Sequence, residues 1–115
     1  MHELDLAYSV VSSIDSEIKS RKGASLKEFE LEIGEFSGVD PDALRFSLNA
    51  ILRSSPYARA EAKISLIEAS YRCRGCNNVF RPSERCSKCT SCGSYRVEIL
   101  QGEELKIKSL VIEKE

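Results

Sequence analysis

Apolar residues in the first twenty positions recur at intervals of three and four. Leu4, Ala7, Val11, Ile14 and Ile18, with Leu6 and Val10 beside them, form one stripe that predicts an amphipathic helix ending near Gly23. The period then changes. In LKEFELEIGEF, Phe29, Leu31 and Ile33 alternate with Glu28, Glu30 and Glu32, the pattern of a strand with one face on a core and one in water, until Gly34 and Gly38 interrupt it. In DPDALRFSLNAILR, Asp40 stands as an N-cap and Pro41 at the first helical position, and Leu44, Leu48, Ile51 and Leu52 line one side of a second helix. Alternation returns through Ala62, Ile64 and Leu66 in EAKISLIEA, and through Leu105, Ile107, Ser109 and Val111 in ELKIKSLVIE. Two helices therefore share a small three-stranded sheet, and the fold class is α+β.

Between the last two strands the apolar residues thin out. Tyr71, Val79, Phe80 and Tyr95 are too few to offset the ordering of this stretch, at about 1–2 kcal/mol per residue for the backbone alone. Residues 71–95 accordingly read as an inserted, zinc-ribbon-like domain in a larger domain made of residues 1–70 and 96–115. Cys73 and Cys76 form one C-x-x-C and Cys89 and Cys92 another, separated by twelve residues, a hairpin's length that brings four thiolates into a tetrahedron. Gly75 and Gly93 free the backbone where its amides turn toward sulfur. Cys86 and Cys89 make a competing C-x-x-C; the glycine after Cys92, in CTSCGS, favours Cys89 and Cys92 as the second pair. Four thiolates close the coordination sphere, so the zinc is structural.

Composition narrows the classes that remain. A chain of 115 residues with 42% hydrophobic content supports one modest core plus a satellite. Five cysteines, an odd number clustered in one stretch, suit a reduced metal site better than a disulfide framework. No apolar run approaches the ~20 residues of a membrane span, and the acidic amino terminus lacks the parts of a signal peptide, so a cytoplasmic protein without a membrane partner is expected. A net charge of -1 gives nucleic acid no general electrostatic case. Arg72, Arg74, Arg81, Arg85, Lys88 and Arg96 surround the cysteines and suggest a nucleic-acid module as the rival class. They are equally expected as counterions to a dianionic four-thiolate site, and no aromatic platform interleaves them.

The sole histidine, His2, follows Met1 directly. A free α-amine, a backbone amide and an imidazole within two residues form a chelate for a square-planar metal such as Ni(II). The bland alternative is a solvated terminal side chain. A hydrolase built on His2 and Glu3 has thin support, since no further pocket-forming set accompanies them.

The opening MHE, the stretch GEFSGVDPDALRF, the two C-x-x-C pairs with CGS, and GEELKIKSLVIE occur in the order found in the HypA family, and the chain resembles that family over essentially its whole length. It departs from the usual pattern at Asn77, where glycine is common, at Thr90, where proline is common, and in the extra Cys86. The resemblance implies a non-catalytic nickel metallochaperone that delivers Ni(II), its cargo, for maturation of the [NiFe] hydrogenase large subunit, working with a HypB-family GTPase. It also implies that Met1, His2 and Glu3 hold the nickel in the larger domain, Glu3 through its backbone amide or, alternatively, its carboxylate. Zn(II) would then sit on Cys73, Cys76, Cys89 and Cys92. A homo-oligomer formed by exchanging the first or last element is compatible with this reading.

Overall fold

The computed structural model describes residues 3–114; Met1, His2 and Glu115 lie outside them. In chain order the elements are α1 (Glu3–Lys19), β1 (Ala24–Gly34), α2 (Pro41–Arg53), β2 (Glu61–Ile67), β3 (Ser70–Cys73), β4 (Val79–Phe80), β5 (Val97–Gln101) and β6 (Leu105–Lys114). They form two three-stranded sheets, ordered β2-β1-β6 and β4-β3-β5. The described chain divides into two compact units, one of residues 3–32, 38–65 and 106–114, the other of residues 33–37 and 66–105. The cysteine-rich stretch 71–95 falls inside the second unit, which also takes in 33–37, 66–70 and 96–105.

In the first unit, α1 buries Ala7, Ile14 and Ile18, and its acidic first turn (Glu3, Asp5) and Lys19 in the last turn both oppose the helix dipole favourably. Helix α2 starts where Asp40, in an extended conformation, accepts hydrogen bonds from the amides of Asp42 (3.0 Å) and Ala43 (3.4 Å). Leu44, Leu48 and Leu52 form its buried stripe. Strand β1 buries Phe29 and Leu31 on one face. On the other, Glu28, Glu30 and Glu32 pair with Lys63 (3.2 Å), Lys108 (3.6 Å) and Lys106 (3.4 Å). Such pairs contribute about 0–1 kcal/mol each, so they keep the face wet and ordered more than they hold the fold.

Two side chains expected on the inner face are not there. Leu66 is 63% exposed and Val111 is 41% exposed. In β2 the alternation breaks at Ser65, and in β6 at Ser109, after which Leu110 and Ile112 take the more buried positions. With a side-chain period of two, one local slip transfers every following residue to the opposite face.

The buried Tyr57 hydroxyl donates to the Asp15 carboxylate, which also meets Lys19 at 3.0 Å. Burial, then this bond, pushes the tyrosine up to about 12, while the same bond and then Lys19 hold Asp15 below the usual carboxylate range. Both shifts define the pH window. Asp15 stabilises the fold above its unfolded pKa of ~3.9 and loses that contribution as pH falls through its lower folded value; Tyr57 contributes below ~10 and loses it as pH rises toward its folded value. Tyr57→Phe should therefore flatten the stability profile at both ends, measured by denaturant midpoints between about pH 3 and 11; unchanged limbs would show that the bond is not coupled to folding.

The second unit is held where backbones meet closely. Gly34 N–H donates to the Glu104 carbonyl (2.8 Å), Glu35 N–H to Ile67 (2.8 Å) and Phe36 N–H to Gly102 (2.7 Å). A Cβ on Gly34 would lie 2.2 Å from the Gly102 carbonyl oxygen. Gly34→Ala is expected to destabilise the protein by about 1–3 kcal/mol, through displacement of this contact, read as a lower urea midpoint. The small core nearby consists of Tyr71, Cys73, Phe80 and Cys89, with Phe36 and Val97 packed against it. Tyr71 meets Phe36 and Phe80 edge-on, with ring centroids 6.3 and 6.0 Å apart, and its hydroxyl donates to the Arg85 carbonyl at 2.7 Å.

Candidate metal centre

Two short turns present the cysteines, and they are built alike. Cys73 N–H donates to the Asn78 carbonyl (2.8 Å) and Asn77 N–H to the Cys73 carbonyl (2.9 Å). In the second turn Cys89 N–H donates to Ser94 (2.8 Å) and Gly93 N–H to Cys89 (3.0 Å). The equivalent fourth position after each leading cysteine has positive φ, 63° at Asn77 and 77° at Gly93. Asparagine is among the few residues that tolerate this conformation, which explains how Asn77 takes the place in the first turn that Gly93 takes in the second.

The turns bring Cys73, Cys76, Cys89 and Cys92 together, with their four sulfurs all within 4.8 Å of one another. Cys73 and Cys92 sulfurs are 3.5 Å apart, and those of Cys76 and Cys89 3.6 Å. A tetrahedron of thiolates at ~2.3 Å from zinc has edges of about 3.8 Å, so the donor type, number and spacing fit a Zn(II) ion. Cys86 is exposed and outside this group.

Amides aim at the two buried sulfurs. Gly75 N–H donates to Cys73 Sγ (3.3 Å); Ser91 N–H (3.3 Å), Cys92 N–H (3.4 Å) and the Asn78 side-chain amide (3.6 Å) donate to Cys89 Sγ. The Cys92 amide above all, then those of Ser91 and Asn78, outweigh burial and bring the Cys89 thiol down to about 6. The Cys76 amide does the same for Cys73, lowering it against its burial. Cys76 and Cys92 move the other way. The amides of Asn78 and Ser94 favour their thiolates, but burial and the neighbouring sulfurs prevail, and Cys76 rises to about 11. Four adjacent thiolates repel one another; a dication is what lets all four lose their protons.

Of the residues expected to hold nickel, only Glu3 is described. It opens α1, and its carboxylate accepts a hydrogen bond from the Asp40 N–H at 3.2 Å. The Asp40 carboxylate is itself engaged in capping α2. Met1 and His2, the other two, lie outside the described residues. Three of the arginines around the cysteines have carboxylate partners in the same unit: Arg72 with Glu98 (3.5 Å), Arg81 with Glu35 (3.5 Å) and Glu68 (3.2 Å), and Arg85 with Glu103 (2.7 Å). Arg85 also donates to the Phe36 carbonyl. Neither the Glu3–Asp40 bond nor these clamps has a signal in the sequence, since each joins residues far apart in the chain.

A family model described as "Hydrogenase/urease nickel incorporation, metallochaperone, hypA" matches residues 1–112. A hydrogenase maturation factor HypA of Parabacteroides distasonis is 39% identical over 115 residues, covering 100% of both chains. The HypA of Chlorobaculum parvum is 34% identical over 113 residues, 98% of this chain and 100% of that one. Among solved structures, one described as the solution structure of HypA protein has a TM-score of 0.72 at 25% identity, covering 100% of this chain and 98% of the other. The solution structure of the Ni metallochaperone HypA from Helicobacter pylori matches at a TM-score of 0.67 and 24% identity, with 100% of both chains covered, a likeness of fold.

Proposed function

Since the chain belongs to the HypA family of nickel-incorporation metallochaperones, we propose that it carries Ni(II) on its first three residues and delivers it for maturation of the [NiFe] hydrogenase large subunit. The Met1 amine and His2 amide nitrogen close a five-membered chelate ring, and that amide with the His2 imidazole closes a six-membered one, placing three nitrogens in a plane. The observation that carries the assignment of the fourth donor is the bond between the Glu3 carboxylate and the Asp40 amide. It engages one carboxylate oxygen, which supports the Glu3 backbone nitrogen over the carboxylate as the donor. A site made from one short terminal segment can be surrendered ligand by ligand, which suits a carrier rather than a catalyst. The receiving or coupling partner is a HypB-family GTPase, and the setting is the cytoplasm; no described helix is long and apolar enough to cross a membrane.

Zn(II) on Cys73, Cys76, Cys89 and Cys92 is the structural ion of this reading. Nitrogen donors hold the nickel and soft sulfur the zinc, so the two should part under different conditions. Treating nickel-loaded protein with a mild chelator is expected to strip the nickel while one zinc per chain and the second unit's amide protection remain. Equal loss of both metals on His2→Ala substitution would contradict separate sites.

A further inference from the structure

Cys86 is left over by the metal centre, yet it is spaced from Cys89 as Cys89 is from Cys92, so Cys89 belongs to two overlapping C-x-x-C pairs. Of its two partners only Cys92 joins Cys89 in the four-sulfur group, where the Cys89 sulfur also faces Cys76 at 3.6 Å; Cys86 lies outside that group. Cys86 and Cys89 line one open pocket of about 410 Å³, bordered by Arg81, Lys88 and Tyr95. Cys89 is only 2% exposed overall, so this pocket is where an attacking reagent or a second thiol would reach its flank. The segment carrying Cys86 is irregular; a turn at Glu84–Ser87 is held by the Ser87 hydroxyl, which accepts from the Glu84 amide (3.1 Å) and donates to its carbonyl (2.6 Å). No ion pair or side-chain bond ties down the Cys86 sulfur among the described residues.

We propose that Cys86 is a peroxide-modified thiol that takes Cys89 away from zinc, an inference that rests on the zinc reading above. The exposed Cys86 thiol attacks hydrogen peroxide, the O–O bond breaks, and Cys86 becomes a sulfenic acid as one water leaves. The Cys89 thiolate then attacks the Cys86 sulfur; the S–S bond forms, the S–O bond breaks, and hydroxide departs and is protonated to a second water. Two thiols have lost two electrons and one peroxide has gained them. Only Cys73, Cys76 and Cys92 would then remain to hold a zinc ion, and three thiolates would hold it more weakly than four, so the small core containing Cys73 and Cys89 would lose the ion that organises it. A dithiol reductant reverses the step by reducing the Cys86–Cys89 disulfide and restoring the four-sulfur set.

The test uses the untagged full chain, with zinc counted before any oxidant is added, and Cys86→Ser beside it. Hydrogen peroxide is titrated in while a chromophoric chelator reports free zinc, and non-reducing peptide mapping locates disulfides. The wild type is expected to release its zinc with formation of a Cys86–Cys89 disulfide and to reload zinc after dithiothreitol. Cys86→Ser should start with the same zinc content and release it at least about tenfold more slowly, since its remaining thiols are metal-bound. Equal release rates in the two proteins, or a first disulfide joining Cys73, Cys76 or Cys92 instead, would overturn the role of Cys86. A wild type containing no zinc before oxidation would overturn the zinc reading itself, and the inference with it.

Discussion

Serine in place of Cys73, Cys76, Cys89 or Cys92 should cost the protein its zinc and the order of the whole second unit, while Cys86→Ser leaves both intact. The reason is the size of the core. Only Tyr71, Cys73, Phe80 and Cys89 are buried in that cluster, and two of the four are themselves metal-ligand candidates. So small a cluster cannot offset the entropy of ordering residues 66–105. Structural zinc supplies an apparent ~10–16 kcal/mol at neutral pH, which makes metal binding and folding of such a unit one event. The amides of Cys73 and Cys89, hydrogen-bonded to Asn78 and Ser94, should lose their protection from hydrogen exchange in the four variants. The buried stripes of α1 and α2 should remain protected, because they pack in the other unit. Zinc analysis with hydrogen exchange on all five single variants decides it. Retention of zinc by Cys92→Ser together with its loss from Cys86→Ser would reverse the assignment of the second pair.

Adding a single residue ahead of Met1 should weaken nickel binding by about 100-fold or more, beyond the 10–100-fold that losing a mere outer-shell partner costs. The extension converts the first chelating amine into an amide and breaks the five-membered ring. Glu3→Ala is expected to cost less, about tenfold, because in this reading it removes the bond to the Asp40 amide and not a donor atom. Acid acts on the same site: protons compete with nickel for the His2 imidazole and for the backbone nitrogens, so nickel should leave as pH falls. Competition against a chromophoric nickel chelator at neutral and mildly acidic pH measures all of these. An extended chain with unchanged affinity would remove Met1 from the site, and a Glu3→Ala loss as large as that of His2→Ala would make the carboxylate the donor.

The elements whose signals are local were legible in advance. The α1 stripe and the Asp40–Pro41 start each repeat or terminate within a few residues; of the stripe Ala7, Ile14 and Ile18 are buried while Leu4, in the first turn, is 48% exposed, and Asp40 caps α2 as expected. The four clustered cysteines were legible for the same reason, since each C-x-x-C closes its own turn. What the chain did not reveal depends on residues distant from one another. The short strand β5 pairs with β3 through a register that shifts at Ser70/Tyr71, and nothing in VEILQ alone announces it. Leu66 and Val111 end up exposed because the alternation slips once in each strand, an event set by the assembled sheet. The bond between the Glu3 carboxylate and the Asp40 amide, and the Arg81 and Arg85 clamps on residues 35 and 36, appear only when the fold brings them together.

Counting metals decides whether the protein is a two-metal carrier. Untagged protein and its His2→Ala variant are equilibrated with nickel at neutral pH, freed of excess ion and analysed for both elements on the same samples. One zinc and one nickel per chain are expected in the native protein, and one zinc with no retained nickel in the variant. Nickel retained by His2→Ala beside one zinc per chain would take His2 out of the site, and nickel gained only as zinc is lost would place the cargo on the cysteines; either result contradicts a two-metal carrier with its nickel at the amino terminus.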